Sequence, residues 1–74
     1  MAKIQINGRK TIIKENTTIF EVLKKFRIDE KKVAVELNGE ILVKNKYKKK
    51  KIKKNDQIEI VQFIGGGWLE KRRL

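Results

Sequence analysis

The sequence predicts an α+β fold: one main helix packed on a sheet of about five strands, in the order strand, strand, helix, strand, strand, strand. Three observations carry this expectation. Asn7-Gly8 and Asn38-Gly39 each stand between alternating apolar stretches, the pattern of a tight hairpin whose two turn residues take positive φ. Thr18 followed by Glu21 makes a capping box ahead of an apolar stripe at helical spacing. A last alternating stretch follows the turn residues Asn55-Asp56.

Ile4 and Ile6 alternate with Lys3 and Gln5, so a first strand runs up to the Asn7-Gly8 turn. The second covers Lys10 to Lys14, with Ile12 or Ile13 facing inward, and Glu15-Asn16 ends it. From Thr18 the helix places Ile19, Val22, Leu23 and Phe26 on one apolar face and Glu21, Lys24 and Lys25 on the wet side. Val33, Val35 and Leu37 alternate with Ala34 and Glu36 in a third strand, and Glu40 to Val43 gives the fourth. Gln57 to Phe63 is the last strand, with Ile58 and Ile60 on one face and Val61 and Phe63 on the other. The long segment before it is expected to cross the sheet edge. One domain over residues 1–64 results, followed by a flexible glycine-rich segment and tail over 65–74.

The chain has 74 residues and a net charge of +11, from 20 Lys and Arg against 9 Asp and Glu, and contains no Cys, His or Pro. This length supports a single small core but not a large active-site cleft as well. Without Cys or His there is no thiolate nucleophile, no imidazole base, no disulfide and no zinc site of the usual ligand types. The composition therefore points away from an autonomous enzyme. Met1 to Gly8 alternates, where a secretory signal would join a basic segment to a long apolar run, and no stretch has the length to span a bilayer. A cytoplasmic protein, monomeric when free, is the expectation.

Between Lys44 and Lys54 stand eight lysines and no acid, interrupted only by Asn45, Tyr47 and Ile52. Such a basic patch, densest at Lys48, Lys49, Lys50 and Lys51, attracts phosphate backbones, and Tyr47 offers a ring for base stacking. Specific nucleic-acid readers, however, interleave several aromatics with arginine, and this run has no arginine. A solvated connection, or a surface that steers an acidic protein partner, fits it better.

Gly65-Gly66-Gly67 offers the thinnest thread a polypeptide can make, able to enter a narrow slot. A plain linker has the same composition. It is no phosphate loop, because neither Lys-Ser/Thr nor a helix start follows. Val61, Phe63 and Ile64, just before the glycines, form an apolar cluster suited to partner docking, unless Trp68 and Leu69 cover it.

These residues, in this order, resemble the small ubiquitin-like sulfur-carrier proteins of thiamine biosynthesis, across Lys3 to Gly67. The likeness is carried by Ile4-Gln5-Ile6-Asn7-Gly8, by Thr17-Thr18-Ile19 through Leu23, by Val33 to Ile41 and, most specifically, by Asn55 to Gly67. The resemblance implies the β-grasp fold with its mixed sheet. It also implies that the C-terminal glycine carboxylate is adenylated by an ATP-using, ubiquitin-activating-like adenylyltransferase and converted to a thiocarboxylate. The sulfur then passes to the thiazole synthase. Gly66-Gly67 would be the diglycine, Gly67 the acyl terminus, and Phe63 and Ile64 the adjoining contact. The chain itself would be no enzyme and bind no cofactor or metal, with ATP and an external sulfur donor belonging to the partner.

Family members normally stop at the diglycine, whereas this chain continues from Trp68 to Leu74. A carboxylate held in a peptide bond cannot be adenylated. Either a processing protease removes the extension, or this member is inactive as written, or the extension is foreign to the natural protein. Its mixture of Trp, Leu and basic residues matches no common purification tag, which favours a natural one. The small subunit of molybdopterin synthase has the same fold and diglycine chemistry on usually longer chains. From another class, a basic RNA-binding β-grasp module would rest on the lysine run and need no glycine carboxylate.

Overall fold

The computed structural model describes residues 1–64 and 68–71, with side chains described through Gln62. The strands are β1 (Ala2–Ile6), β2 (Arg9–Ile13), β3 (Val33–Leu37), β4 (Glu40–Leu42), β5 (Gln57–Ile64) and β6 (Trp68–Lys71), with helix α1 (Ile19–Lys25) between β2 and β3. Across the sheet they run β2-β1-β5-β3-β4, and β6 also pairs with β5. The β1–β5 pair is parallel and the others antiparallel, so the sheet is mixed as expected.

Both Asn-Gly pairs form their hairpins. Asn7 and Gly8 have φ of 49° and 80°, and Asn38 and Gly39 have 53° and 85°. Positive φ at both central residues twists the turn the same way as the strands it joins. The second strand starts one residue earlier than expected, and the choice between Ile12 and Ile13 is resolved: Ile13 is buried, while Ile12 is 58% exposed on the outer face.

The capping box is present in full. Glu21 N–H donates to Thr18 Oγ1 at 3.1 Å, and Thr18 N–H donates to Glu21 Oε1 at 3.0 Å. Ile19, Val22 and Leu23 are buried against the inner sheet face, where Ile4, Ile6, Val33, Val35, Ile58 and Ile60 meet them. Phe26 caps the helix and packs on the rim of this core, only partly buried.

Two segments differ from the expectation. The lysine-rich stretch is no loose connection across the edge: it makes a 3-10 turn at Lys44–Lys46 and sends Tyr47 and Ile52 into the core. Its carbonyls serve the start of α1, with Ile19 N–H donating to Lys50 C=O and Phe20 N–H to Tyr47 C=O, both at 2.9 Å. A helix leaves its first N–H groups without intrahelical partners, so this stretch completes the helix end. The second difference is Trp68–Lys71, which sequence reading places in a flexible tail and which forms β6.

Candidate functional site

β5 leads from the core to the glycines, and its base is held on every side. Ile58 and Ile60 are 2% and 0% exposed, and β3 runs alongside from Leu37↔Ile58 to Val33↔Gln62. On the opposite edge β1 pairs only as far as Ile6↔Ile58. There the Asn7 side chain takes over: its Oδ1 accepts from Ile60 N–H at 2.7 Å and its Nδ2 donates to Ile60 C=O at 3.3 Å. The carboxamide thus imitates one further residue of a strand.

Asn38 does similar work at the start of β5. It accepts from Gln57 N–H at 2.8 Å through Oδ1 and donates to Asp56 Oδ1 at 3.0 Å through Nδ2. Asp56, only 8% exposed, accepts from Lys53 N–H at 2.7 Å with its other oxygen. Hydrogen bonds to both oxygens make this buried carboxylate tolerable. Sequence reading assigns Asn7, Asn38 and Asp56 to turns and misses their grip on β5. The signal is the choice of Asn at the turns, where Asp or Gly also permit positive φ but lack one or both amide functions.

Beyond Ile60 the strand changes character. Val61 is half-buried, opposite Ala34 of β3 and Lys71 of β6. Of the apolar cluster expected before the glycines, Val61 alone has a described side chain; those of Phe63 and Ile64 lie outside the described residues, as do Gly66 and Gly67 altogether. β5 nevertheless brings the backbone to Ile64, immediately before the glycines.

The basic patch is a fixed surface. Lys48, Lys49, Lys50 and Lys51 are all exposed, while Tyr47 among them is 0% exposed. Tyr47 therefore cannot stack on a base, because the core already holds its ring. Burial pushes its phenol pKa up, with the Val35 backbone acting the other way and Glu30 adding to the rise. That backbone is near enough to act on the hydroxyl, yet the Tyr47 Oη makes no hydrogen bond of ordinary geometry. The ring on this surface is the partly buried Phe20, already flanked by Lys48 Nζ at 4.9 Å and Lys24 Nζ at 5.7 Å from its centroid. Among the described residues no group of three or more His, Cys, Asp or Glu is placed to hold a metal, and no helix is long and apolar enough to cross a membrane.

A β-grasp domain in which β5, anchored at its base, runs up to a glycine-rich stretch of the sequence is ubiquitin-like in fold. Comparison with known proteins narrows the class. The ThiS family model matches residues 2–67, and the chain belongs to that family. It is a sulfur carrier of thiamine biosynthesis and not itself an enzyme. Sulfur carrier protein ThiS of Bacillus subtilis is 40% identical over 65 residues, which cover 86% of this chain and 98% of that one. A thiazole synthase of Paramagnetospirillum magneticum is also 40% identical over 65 residues, but these make up 88% of this chain and only 20% of that protein. The chain thus spans about a fifth of that relative. A thiamine biosynthesis protein (ThiS) from Geobacter metallireducens has the same fold: its crystal structure matches with a TM-score of 0.77 at 29% identity, covering 88% of this chain and 99% of the other. Its solution structure matches with a TM-score of 0.71, covering 97% and 96%.

Proposed function

We propose that Gly67 is the working end of this carrier and that its sulfur goes to a thiazole synthase. The carrying observation is that the family match runs from the folded core through Gly67, the last of three glycines after β5. On this reading a protease first removes Trp68 to Leu74, freeing the Gly67 carboxylate. An adenylyltransferase then activates that carboxylate with ATP, and a sulfur nucleophile displaces AMP to leave a thiocarboxylate. The carboxylate is a poor acyl donor until one oxygen becomes part of a phosphate leaving group, which is what ATP supplies. Both ATP and the sulfur donor belong to the partner, and the chain itself binds no cofactor.

The domain's own contribution is presentation. Asn7, Asn38 and Asp56 fix the base of β5, and the glycines carry no side chain to obstruct a narrow channel. Two thiazole synthases that contain a stretch similar to this chain support the choice of acceptor, since a fused domain and its partner act on a common task.

Intact mass spectrometry of the protein from its native cells tests the reading. A species ending at Gly67, with a fraction heavier by one oxygen-to-sulfur replacement, is the expected result. Retention of Leu74 throughout under thiamine starvation would overturn it. A chain ending at residue 67 and carrying Gly67→Ala should fail to be activated, whereas the same chain with Gly67 should be adenylated.

A further inference from the structure

We propose that the outer edge of β5 from Val61 to Ile64 is a strand-docking site, occupied by the chain's own β6 until that segment is removed and afterwards by an extended segment of the protein that handles the glycine end. The pairing with β6 is independent of the sulfur-carrier reading above; the removal of β6 and the later occupant rest on it. The argument begins with strand alternation. The N–H and C=O of Ile60 point to the β1 side, where the Asn7 carboxamide holds them. Backbone groups two and four residues on point the same way, so Gln62 and Ile64 present theirs to this edge. β1 does not reach them, since its pairing ends at Ile58. The register instead sets Glu70 opposite Gln62 and Trp68 opposite Ile64, the positions at which β5 and β6 exchange bonds.

Without β6, two successive positions of a strand would offer bare donors and acceptors to any extended chain. Such an edge invites β-addition, in which main-chain bonds supply affinity. Phe63 and Ile64 lie past the end of β3 as well, whose pairing stops at Val33↔Gln62. The backbone pairing of Ile64 therefore comes from β6. Removing the tail to expose Gly67 uncovers this ladder in the same cut. One event thus produces both a reactive end and, beside it, an edge for the enzyme that must grip that end. A four-residue strand held at two positions opens at low free-energy cost, which suits a segment to be peeled and cleaved.

Amide hydrogen exchange on the full chain and on a chain ending at Gly67 tests the site. Gln62 and Ile64 amides should exchange about tenfold or more faster once the tail is gone, while Ile60, bonded to Asn7 in both forms, should not change. In the full chain Glu70→Pro, which removes the N–H facing Gln62, should mimic trimming without altering chain length. Equal exchange at Gln62 and Ile64 in all forms would overturn the proposal. A peptide of sequence Trp68 to Leu74, added at millimolar concentration to the chain ending at Gly67, should restore slow exchange at both amides. Failure to do so would overturn docking in trans, whatever the fate of Gly67. An unchanged exchange pattern in a protein that does form the thiocarboxylate would sink the docking site and leave the carrier reading standing.

Discussion

The two halves of β5 are built differently. From Gln57 to Ile60 the strand has β3 on one side, the end of β1 and the Asn7 carboxamide on the other, and two fully buried isoleucines facing α1. From Val61 to Ile64 it leaves β1 behind, outruns β3 and pairs with β6, and its first residue is only half-buried. In the proposed function the first half of the strand is the anchor and the second the delivery arm. A carrier needs both properties. A floppy base would cost binding entropy whenever the end entered a partner, whereas a buried end could enter nothing.

The largest effect should come from breaking the anchor. Ile60→Ala removes a 0% exposed side chain between sheet and helix and should cost about 3 kcal/mol in urea unfolding. The adjacent Val61→Ala should cost less than about 1 kcal/mol, because its side chain already meets solvent on one side. Similar losses at both positions would erase the distinction between anchor and arm. Asn7→Gly comes next. It keeps a residue at ease with φ near 49° but strips Ile60 of both side-chain bonds, at a cost of about 2 kcal/mol. Amide exchange at Ile60 should rise in that variant together with the loss of stability.

A smaller effect lies away from β5 and serves as its control. The Thr18 backbone N–H, then its hydroxyl and Lys14, hold the Glu21 carboxyl below the ordinary glutamate range. A lowered pKa in the folded state stabilises at pH above the unfolded value, and that contribution disappears as pH falls through the folded value. Acid titration should therefore loosen α1 at its N-terminus, and Glu21→Gln should flatten the pH dependence of unfolding over that acidic range. Exchange at Ile60 in mild acid should stay slow in both proteins.

The parts of this molecule legible in the sequence are those whose physics is local. Asn-Gly turns, the Thr18–Glu21 box and the alternation of Val33, Val35 and Leu37 each act within a few residues, and each was found where expected. Asn7 reads as a turn residue because its local role is complete; its bond to Ile60, 53 positions away, has no local trace. Tyr47 reads as an exposed ring because lysines surround it, although only its neighbours face water. β6 leaves little alternation to recognise in four residues, and pairs because β5 offers an edge at that point. As for the candidate site, the glycine thread is legible because bare glycines are a property of sequence. The edge beside it is made of backbone groups, which every sequence has.

The smallest expected effect concerns the loudest feature of the sequence. Changing Lys48, Lys49, Lys50 and Lys51 together to Gln should alter stability by less than about 0.5 kcal/mol, because all four side chains are exposed. What fixes this segment is Tyr47 and Ile52 in the core, and the backbone bonds from Ile19 and Phe20 to Lys50 and Tyr47. Those groups survive the change. The lysines do contribute long-range field: replacing four of them lowers a net charge of +11 to +7 by simple subtraction. If their role is to steer an acidic partner, the association rate with that partner should fall at low salt and converge with that of the unchanged chain as salt rises past about 0.5 M. Dissociation should change little if, as proposed, the partner grips the end of β5. A quadruple variant that unfolds, or one that dissociates much faster while associating normally, would move the centre of recognition from the end of β5 to the lysine surface.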